Sequence, residues 1–446
     1  MPGRYLPIYK KILLLGFPIL IGQLGNILSA FADTIMVGHY TTDALASASF
    51  VNNMFNMAMF TVMGFTYGLT PLVGALFVKG REMTIGRMVR SAMWINIIVA
   101  LIVTAIMGVF YINLDRMGQP AHLLPVIRPY YLLYLAGMVP VAVFNVFAQW
   151  SYAINRTLLP TVILIGANLL NFVGNYALIF GHFGLPEAGL TGAGIATLVA
   201  RVLSAVAIMA VFFGARRFRG YRDGFTRGMV EGYTNREIVT TSWPVALQMA
   251  LESGSFTMAA VMSGWVGAIG LASFQVVVIT GMLGFMIYYS FGTSVAILVS
   301  NANGRGDREA MKRVAFGGYH IELTLATVSS LIFVFFARYI MAMFTDDPAV
   351  YNAALLLVVP LVMYQYGDAT QINFANALRG TANVMPMLWI AFVSYVAVGF
   401  PVMYGLAFPL GLGVTGIVLS WSISLFLAAG LFLRYFLKTV KNTPNL

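Results

Sequence analysis

Along the chain, long apolar runs alternate with short segments that collect charge, glycine and proline. A helix needs about 20 mostly apolar residues to cross a bilayer core, and more if it is tilted. On that rule the pattern predicts twelve spans, over residues 9–37, 43–77, 88–112, 128–150, 159–181, 189–214, 238–266, 270–300, 314–337, 350–376, 384–407 and 411–437. Several exceed the minimum length, so those helices tilt, bend or project beyond the lipid. The first apolar stretch runs straight into a full-length span without a small-residue cleavage site, so no signal peptide is expected.

Composition fixes the class. Of 446 residues, 60% are hydrophobic and 9% charged, with a mean hydropathy of +0.84. Soluble globular proteins carry about 25% charged residues. The composition excludes a soluble enzyme, a disordered chain and a disulfide scaffold, and points to an all-α polytopic membrane protein. Cysteine is absent, which removes disulfides and thiolate chemistry, and with four histidines no transition-metal site is expected. The formal charge of +11 is mostly topology. With both termini inside, 22 of the 26 Lys and Arg fall in cytoplasmic segments and three, Arg116, Arg128 and Arg338, fall outside; Arg201 is left within helix 6. That asymmetry is the positive-inside pattern and supports an even number of helices. It also accounts for the basic stretch Arg216–Arg227 without nucleic acid.

The longest cytoplasmic segment, residues 215–237, separates two similar halves, 1–214 and 238–446. Pro18 aligns with Pro244, Gly38 with Gly264, and Leu45-Ala46 with Leu271-Ala272, all at an offset of 226. After a short slip, Gly68 matches Gly292 and Gly80-Arg81 matches Gly304-Arg305. Two repeats of even helix number share one orientation, so the expected architecture is two pseudo-symmetric six-helix lobes around a central cleft, as suits a carrier. Pro18, Pro140, Pro244 and Pro360 are expected to kink their helices, either as hinges or as fixed bends.

Of 15 acids, four lie within spans: Asp33, Glu252, Glu322 and Asp368. An ionised carboxylate at mid-bilayer costs about 2.5–3.5 kcal/mol or more unless it faces a cavity or a partner. Asp33 lies in FADTIMVGHY, and helix 5 offers a polar stripe, Asn168, Asn171 and Asn175. Asp33 with Asn171 and Asn175 is a candidate proton or cation site; the alternative is an Asp that ties helices together. Glu252 lies in QMALESGSF. Asp368 lies in MYQYGDATQINFANALRG, on one helical face with Tyr364. Two carboxylates, a phenol and nearby carbonyls make an oxygen-rich site for a hard monovalent cation, or for a proton if the acids crowd one another. The alternative is a structural acid pair. Glu322, near His320, is expected toward the cytoplasmic end of helix 9, with or without a coupling role. Asp33 aligns with Ala259 and Glu252 with Asn26, so the scaffold repeats and its acids do not.

No G-x-x-x-x-G-K-[ST] segment or H-E-x-x-H motif occurs, and neither Asp33 nor Asp368 stands in a GxGD pattern, so neither an ATP-driven pump, a zinc peptidase nor an intramembrane aspartyl protease is expected. The segments PILIGQLGNILSAFADTIMVGHY, WPVALQMALESGSFTMAAVMSGW, GLTGAGIAT and ALRGTANVMPM, taken in order with twelve spans in two halves, resemble a multidrug and toxic compound extrusion (MATE) transporter. The acid pair with Tyr364 is similar to the NorM-like subgroup. The resemblance implies a bacterial inner-membrane antiporter, working as a monomer without cofactor, that expels cationic amphipathic drugs and dyes in exchange for Na⁺ or H⁺. It assigns Glu252, Asp368 and Tyr364 to the coupling cation, and Asp33, Asn171 and Asn175, with Thr197, to a second site. Some members of the family carry Asp where Asn175 stands, so the amide lowers the charge of that site. Its expected partners are drugs and membrane lipid, not nucleic acid. The rival is a lipid-linked oligosaccharide flippase, disfavoured because Arg201 is the one arginine inside a span away from its ends.

Overall fold

The computed structural model describes residues 5–117, 119–227, 235–345 and 347–443, and those residues contain helices and no strand. The charged residues Arg4, Glu231 and Asp346, and 228–234 of the linker, lie outside them. The long helices are α1 (Leu6–Tyr40), α2 (Thr42–Phe77), α3 (Glu82–Ile112), α4 (Ala121–Ala153), α5 (Leu158–Phe180), α6 (Gly189–Gly214), α7 (Asn235–Val266), α8 (Ala268–Gly304), α9 (Arg308–Phe335), α10 (Pro348–Leu356 with Val358–Gly380), α11 (Met385–Ala407) and α12 (Gly413–Asn442). Eleven are long and apolar enough to cross a membrane singly, and α10 is a twelfth as a pair bent by 46°. Each predicted span has its helix. The ends differ most at α3, α4 and α9, which begin at Glu82, Ala121 and Arg308, because backbone hydrogen bonding continues past the point where the apolar run stops.

The prolines act in two ways. Both α4 and α10 break three residues before a proline: α4 at Gly137, ahead of Pro140, and α10 at Leu357, ahead of Pro360. A proline lacks the N–H that would bond the preceding turn and crowds the carbonyl four residues back. The breaks occupy equivalent places in the two repeats. Pro18 and Pro244, by contrast, lie inside uninterrupted helices.

By packing, the chain forms two units. One is Ile21–Ala246; the other joins the residues through Leu20 to Leu247–Leu446. The changeovers fall two residues after Pro18 and Pro244, so these units do not coincide with the sequence segments 1–214 and 238–446: α1 and α7 each contribute to both.

In the first unit, Val51, Phe55 and Val62 of α2 pack with Ile127 and Tyr131 of α4 and Leu190 of α6. Helices α5 and α6 approach so closely that a Cβ on Gly192 would lie 2.5 Å from the Leu178 carbonyl oxygen. The basic stretch 215–227 of the linker is folded onto this unit rather than free in solvent. Its helix Arg219–Thr226 meets α3 backbone to backbone, since a Cβ on Gly86 would overlap the Tyr221 carbonyl and one on Gly224 the Met83 carbonyl. Phe218 and Tyr221 pack edge-on against Trp150. Arg222 donates to the Phe213 carbonyl at 2.6 Å and Arg90 to the Phe225 carbonyl at 3.2 Å. Burial pushes the Tyr221 phenol up to about 12, so it stays neutral in its aromatic seat.

In the second unit, α10 is the centre, buried along nearly all of Val358–Gly380 and packed against α8, α9 and α12. Small residues permit this. A Cβ on Gly292 would lie 2.8 Å from Ile372 Cγ2, and one on Gly318 would overlap Val295. Helix α11 carries a π turn over Phe392–Gly399, which redirects Ser394 and Tyr395 into the interior.

The linker contact is testable. Gly86→Ala and Gly224→Ala should each cost about 1–3 kcal/mol through forced separation of the two backbones. In detergent both variants should melt earlier and be cut faster by protease within residues 219–227. Wild-type protection in both would show that this contact does not hold the linker.

Candidate functional site

The first unit gathers one of the two predicted polar groups. Asp33 of α1 is half-buried, while Asn171 and Asn175 of α5 are buried. The two asparagines are one helical turn apart, so both face Asp33. Asn175 Nδ2 donates to Asp33 Oδ1. With the Asn171 amide assigned in the orientation that satisfies both its ends, its nitrogen donates to Asp33 Oδ1 at 2.9 Å and to Ser29 Oγ at 3.2 Å. Its oxygen then accepts from Thr197 Oγ1 of α6 at 3.2 Å. All four residues expected here, Asp33, Asn171, Asn175 and Thr197, come together. Asn168 does not join them: it donates to Asn26 Oδ1 at 3.1 Å.

This group has a member that the sequence left without a role. Arg201 of α6 stacks over the Tyr134 ring, 4.6 Å from its centroid, and lies within electrostatic reach of Asp33. It fits because α4 breaks at a glycine there: a Cβ on Gly137 would lie 2.7 Å from Arg201 Nη1. The positive-inside count set Arg201 aside as an exception, when its place beside an intramembrane acid is its explanation. Asp33 is thus met by two amides and has a guanidinium within electrostatic reach, all from within its own unit.

The second unit gathers the other group, with a different balance. Glu252 of α7 accepts from Gln248 Nε2 at 2.7 Å. Asp368 of α10 is 1% exposed, with Tyr364 as its phenolic neighbour and Glu252 as the nearby charge. Although Tyr364 faces it, neither Asp368 oxygen has a hydrogen bond of ordinary geometry. Glu252, Asp368 and Tyr364 are therefore together, as expected, without a cationic side chain among them. An aromatic wall encloses the group: Phe256 stands edge-on to Trp421 at 4.6 Å and to Tyr364 at 6.4 Å between centroids. A Cβ on Gly281 would sit 3.3 Å from the Tyr364 ring, so α8 passes close to the phenol at that level.

Several residues of this group were not found from sequence. Gln248 was legible in principle, one turn before Glu252. Gln365 accepts from Tyr288 of α8 at 2.7 Å, and the same Tyr288 hydroxyl meets Ser329 of α9 at 2.8 Å. Tyr395, buried on the π turn, lies within electrostatic reach of both Glu252 and Asp368. A π turn leaves no mark in an apolar sequence, so no periodicity argument reaches Tyr395. Glu322 is at the middle of α9 rather than toward its cytoplasmic end, because the helix starts at Arg308, and it is 0% exposed.

The comparisons agree with the fold. The family model MatE matches twice, over residues 18–177 and 244–405, so the two copies begin at Pro18 and Pro244. The chain is 29% identical over 396 residues to a probable multidrug resistance protein NorM of Xanthomonas axonopodis pv. citri, covering 87% of this chain and 85% of that one. It is 28% identical to the multidrug resistance protein PmpM of Pseudomonas aeruginosa, over 95% and 92% of the two chains. Among solved structures, a MOP superfamily transporter from Pyrococcus furiosus superposes with a TM-score of 0.84 at 18% identity, over 98% and 97% of the chains. A eukaryotic MATE transporter superposes with a TM-score of 0.85 at 17% identity, over 98% of each. With more than half its length matched by the family model, in two copies that coincide with its own internal repeat, this polytopic membrane protein belongs to the MatE family, the multidrug and toxic compound extrusion (MATE) transporters.

Proposed function

We propose that the chain is a secondary active antiporter of the bacterial inner membrane, with both termini cytoplasmic, that exports cationic amphipathic drugs and dyes in exchange for Na⁺ or H⁺ by alternating access. One observation carries the reading. Asp368 is buried, with the Tyr364 phenol facing it, no hydrogen bond of ordinary geometry to either oxygen, and a second acid, Glu252, as its charged neighbour. Ionised and alone, such a pair is costly in a low dielectric. A cation or a proton must come from outside the protein to neutralise it.

The coupling follows from competition. A cationic drug and the coupling ion both lower the cost of the same few carboxylates, so occupancy by one weakens the hold on the other. Glu252, Asp368 and Tyr364 offer carboxylate and phenol oxygens to Na⁺. Asp33, already met by Asn171, Asn175 and Arg201, has less need of a metal cation and suits a proton. Aromatic and methionine side chains supply adaptable apolar and cation–π surface for the drug. The work is transport, without chemical conversion, resident cofactor or nucleic acid. The flippase alternative needs arginines free to hold pyrophosphate, and Arg201 is instead engaged with Tyr134 beside Asp33.

Two predictions follow for purified protein in proteoliposomes. Glu252→Gln and Asp368→Asn should insert and purify normally yet export ethidium about 10- to 100-fold more slowly, the span of a coupling free energy of about 1–3 kcal/mol. Normal export by either variant under a controlled gradient would remove the acid pair from the coupling site. Secondly, an inward Na⁺ gradient or an inward pH gradient, imposed separately and without ATP, should drive wild-type efflux. Efflux that requires ATP, or that responds to neither gradient, would sink the antiporter reading.

A further inference from the structure

Glu322 has no part in the mechanism above, and its surroundings are unusual. It sits at the middle of α9, on the face that carries Gly318 and Ala326 toward α8 and α10. Its side chain is fully buried and neither carboxyl oxygen has a hydrogen-bond partner. The charged group that bears on it is another acid, Asp368. A buried polar string lies between them: Tyr288 of α8 is within electrostatic reach of both acids and donates to Gln365 of α10, whose Nε2 is buried without a partner. Of the other titratable groups nearby, Tyr366 of α10 donates to Thr327, and His320, on the same helix as Glu322, is taken up by the Tyr9 hydroxyl of α1 at 2.9 Å. Neither supplies a positive charge against the Glu322 carboxyl.

We propose that Glu322 is a proton-binding site of the transporter, distinct from the Glu252–Asp368 cation site and coupled to it by charge through Asp368. The physical argument is one of elimination among ligands. A carboxylate with no donor, no cationic side chain and no exposure is stable there only with something bound. Among the described residues no group of three or more acids or histidines is close enough to hold a metal ion, so Glu322 does not extend the metal-binding set. A proton needs no coordination shell and leaves a neutral acid, which is compatible with full burial. When Asp368 is ionised, repulsion favours the protonated Glu322; when Asp368 is neutralised by a cation or a proton, that repulsion is relieved and Glu322 can release its proton. The proton moves between the Glu322 carboxyl and water reaching it in a different state of the transport cycle, with no other bond made or broken. The chain would then hold a proton at Glu322 while Asp368 is without its ion and release that proton as the ion binds at Asp368. This rests on the coupling role proposed for Asp368.

The test uses full-length protein and ethidium. Infrared difference spectra on ethidium binding should contain a protonated-carboxyl band that Glu322→Gln removes and Glu322→Asp keeps. In proteoliposomes with a pH gradient and no Na⁺ gradient, Glu322→Gln should slow ethidium efflux about tenfold while Glu322→Asp retains most of it. A neutral structural acid would be replaced well by glutamine, so wild-type efflux and an unchanged band in Glu322→Gln overturn the proposal. If Glu322→Gln does not fold, retention of the band in Glu322→Ala, which leaves no group to carry it, overturns it equally. Asp368→Asn separates the two readings. Full export by that variant removes the coupling role of Asp368, whereas loss of export there together with wild-type behaviour of Glu322→Gln removes only the proton site at Glu322.

Discussion

The constraint on which the rest depends is the cost of a carboxylate inside a bundle of apolar helices. Every helix satisfies its own backbone, so the scaffold itself asks for no charge. Where a charge is present, something has to neutralise it. The two units meet that demand differently. Around Asp33 the protein supplies its own answer, with amides from Asn171 and Asn175 and the guanidinium of Arg201. Around Asp368 it supplies another acid, a phenol and no cation. The first arrangement is close to balanced as it stands. The second is incomplete without a species from solution, which is the physical basis of coupling in the reading offered here.

Backbone geometry makes room for both groups. The proline-induced break in α4 puts Gly137 where Arg201 needs space, and a side chain there would displace the guanidinium from Tyr134. In the second unit the bare faces of Gly281, Gly292 and Gly318 let α8 and α9 close on α10, so that its polar residues are sealed from lipid. The π turn of α11 does the reverse of a close contact. It swings a tyrosine toward acids that a regular helix would not present to it.

The sequence was legible where physics repeats and silent where it does not. Twelve helices could be read from apolar runs because each span is long and the bilayer rule is strict. The polar stripe of α5 and the Tyr364–Asp368 face were readable because helical spacing alone places those side chains together. Arg201 was seen and given no role, since a topology count treats an arginine within a span as an exception and carries no information on its neighbour. Glu322 was misplaced along its helix because the apolar run begins six residues after the helix does, and the run was used to set the depth. Tyr395 and the linker packing depend on a π turn and on glycine contacts between distant segments, for which a single sequence holds no periodic signal.

The repeat separates scaffold from charge. The fourth helices of the two halves break at the same place, ahead of Pro140 and Pro360, and the family model matches both halves from the equivalent proline. The ionisable residues do not follow. The position of Glu252 is held in the first half by Asn26, which pairs with Asn168 through a neutral hydrogen bond. The repeated scaffold therefore accepts a shorter amide at the corresponding place, so a carboxylate is not a requirement of the repeat itself. An amide and a carboxyl differ little in size and hydrogen-bonding reach, and they differ in the one property that responds to a passing cation or proton. A residue whose shape the scaffold accepts in either form, and whose charge costs stability, is explained by what the charge binds rather than by what the side chain packs.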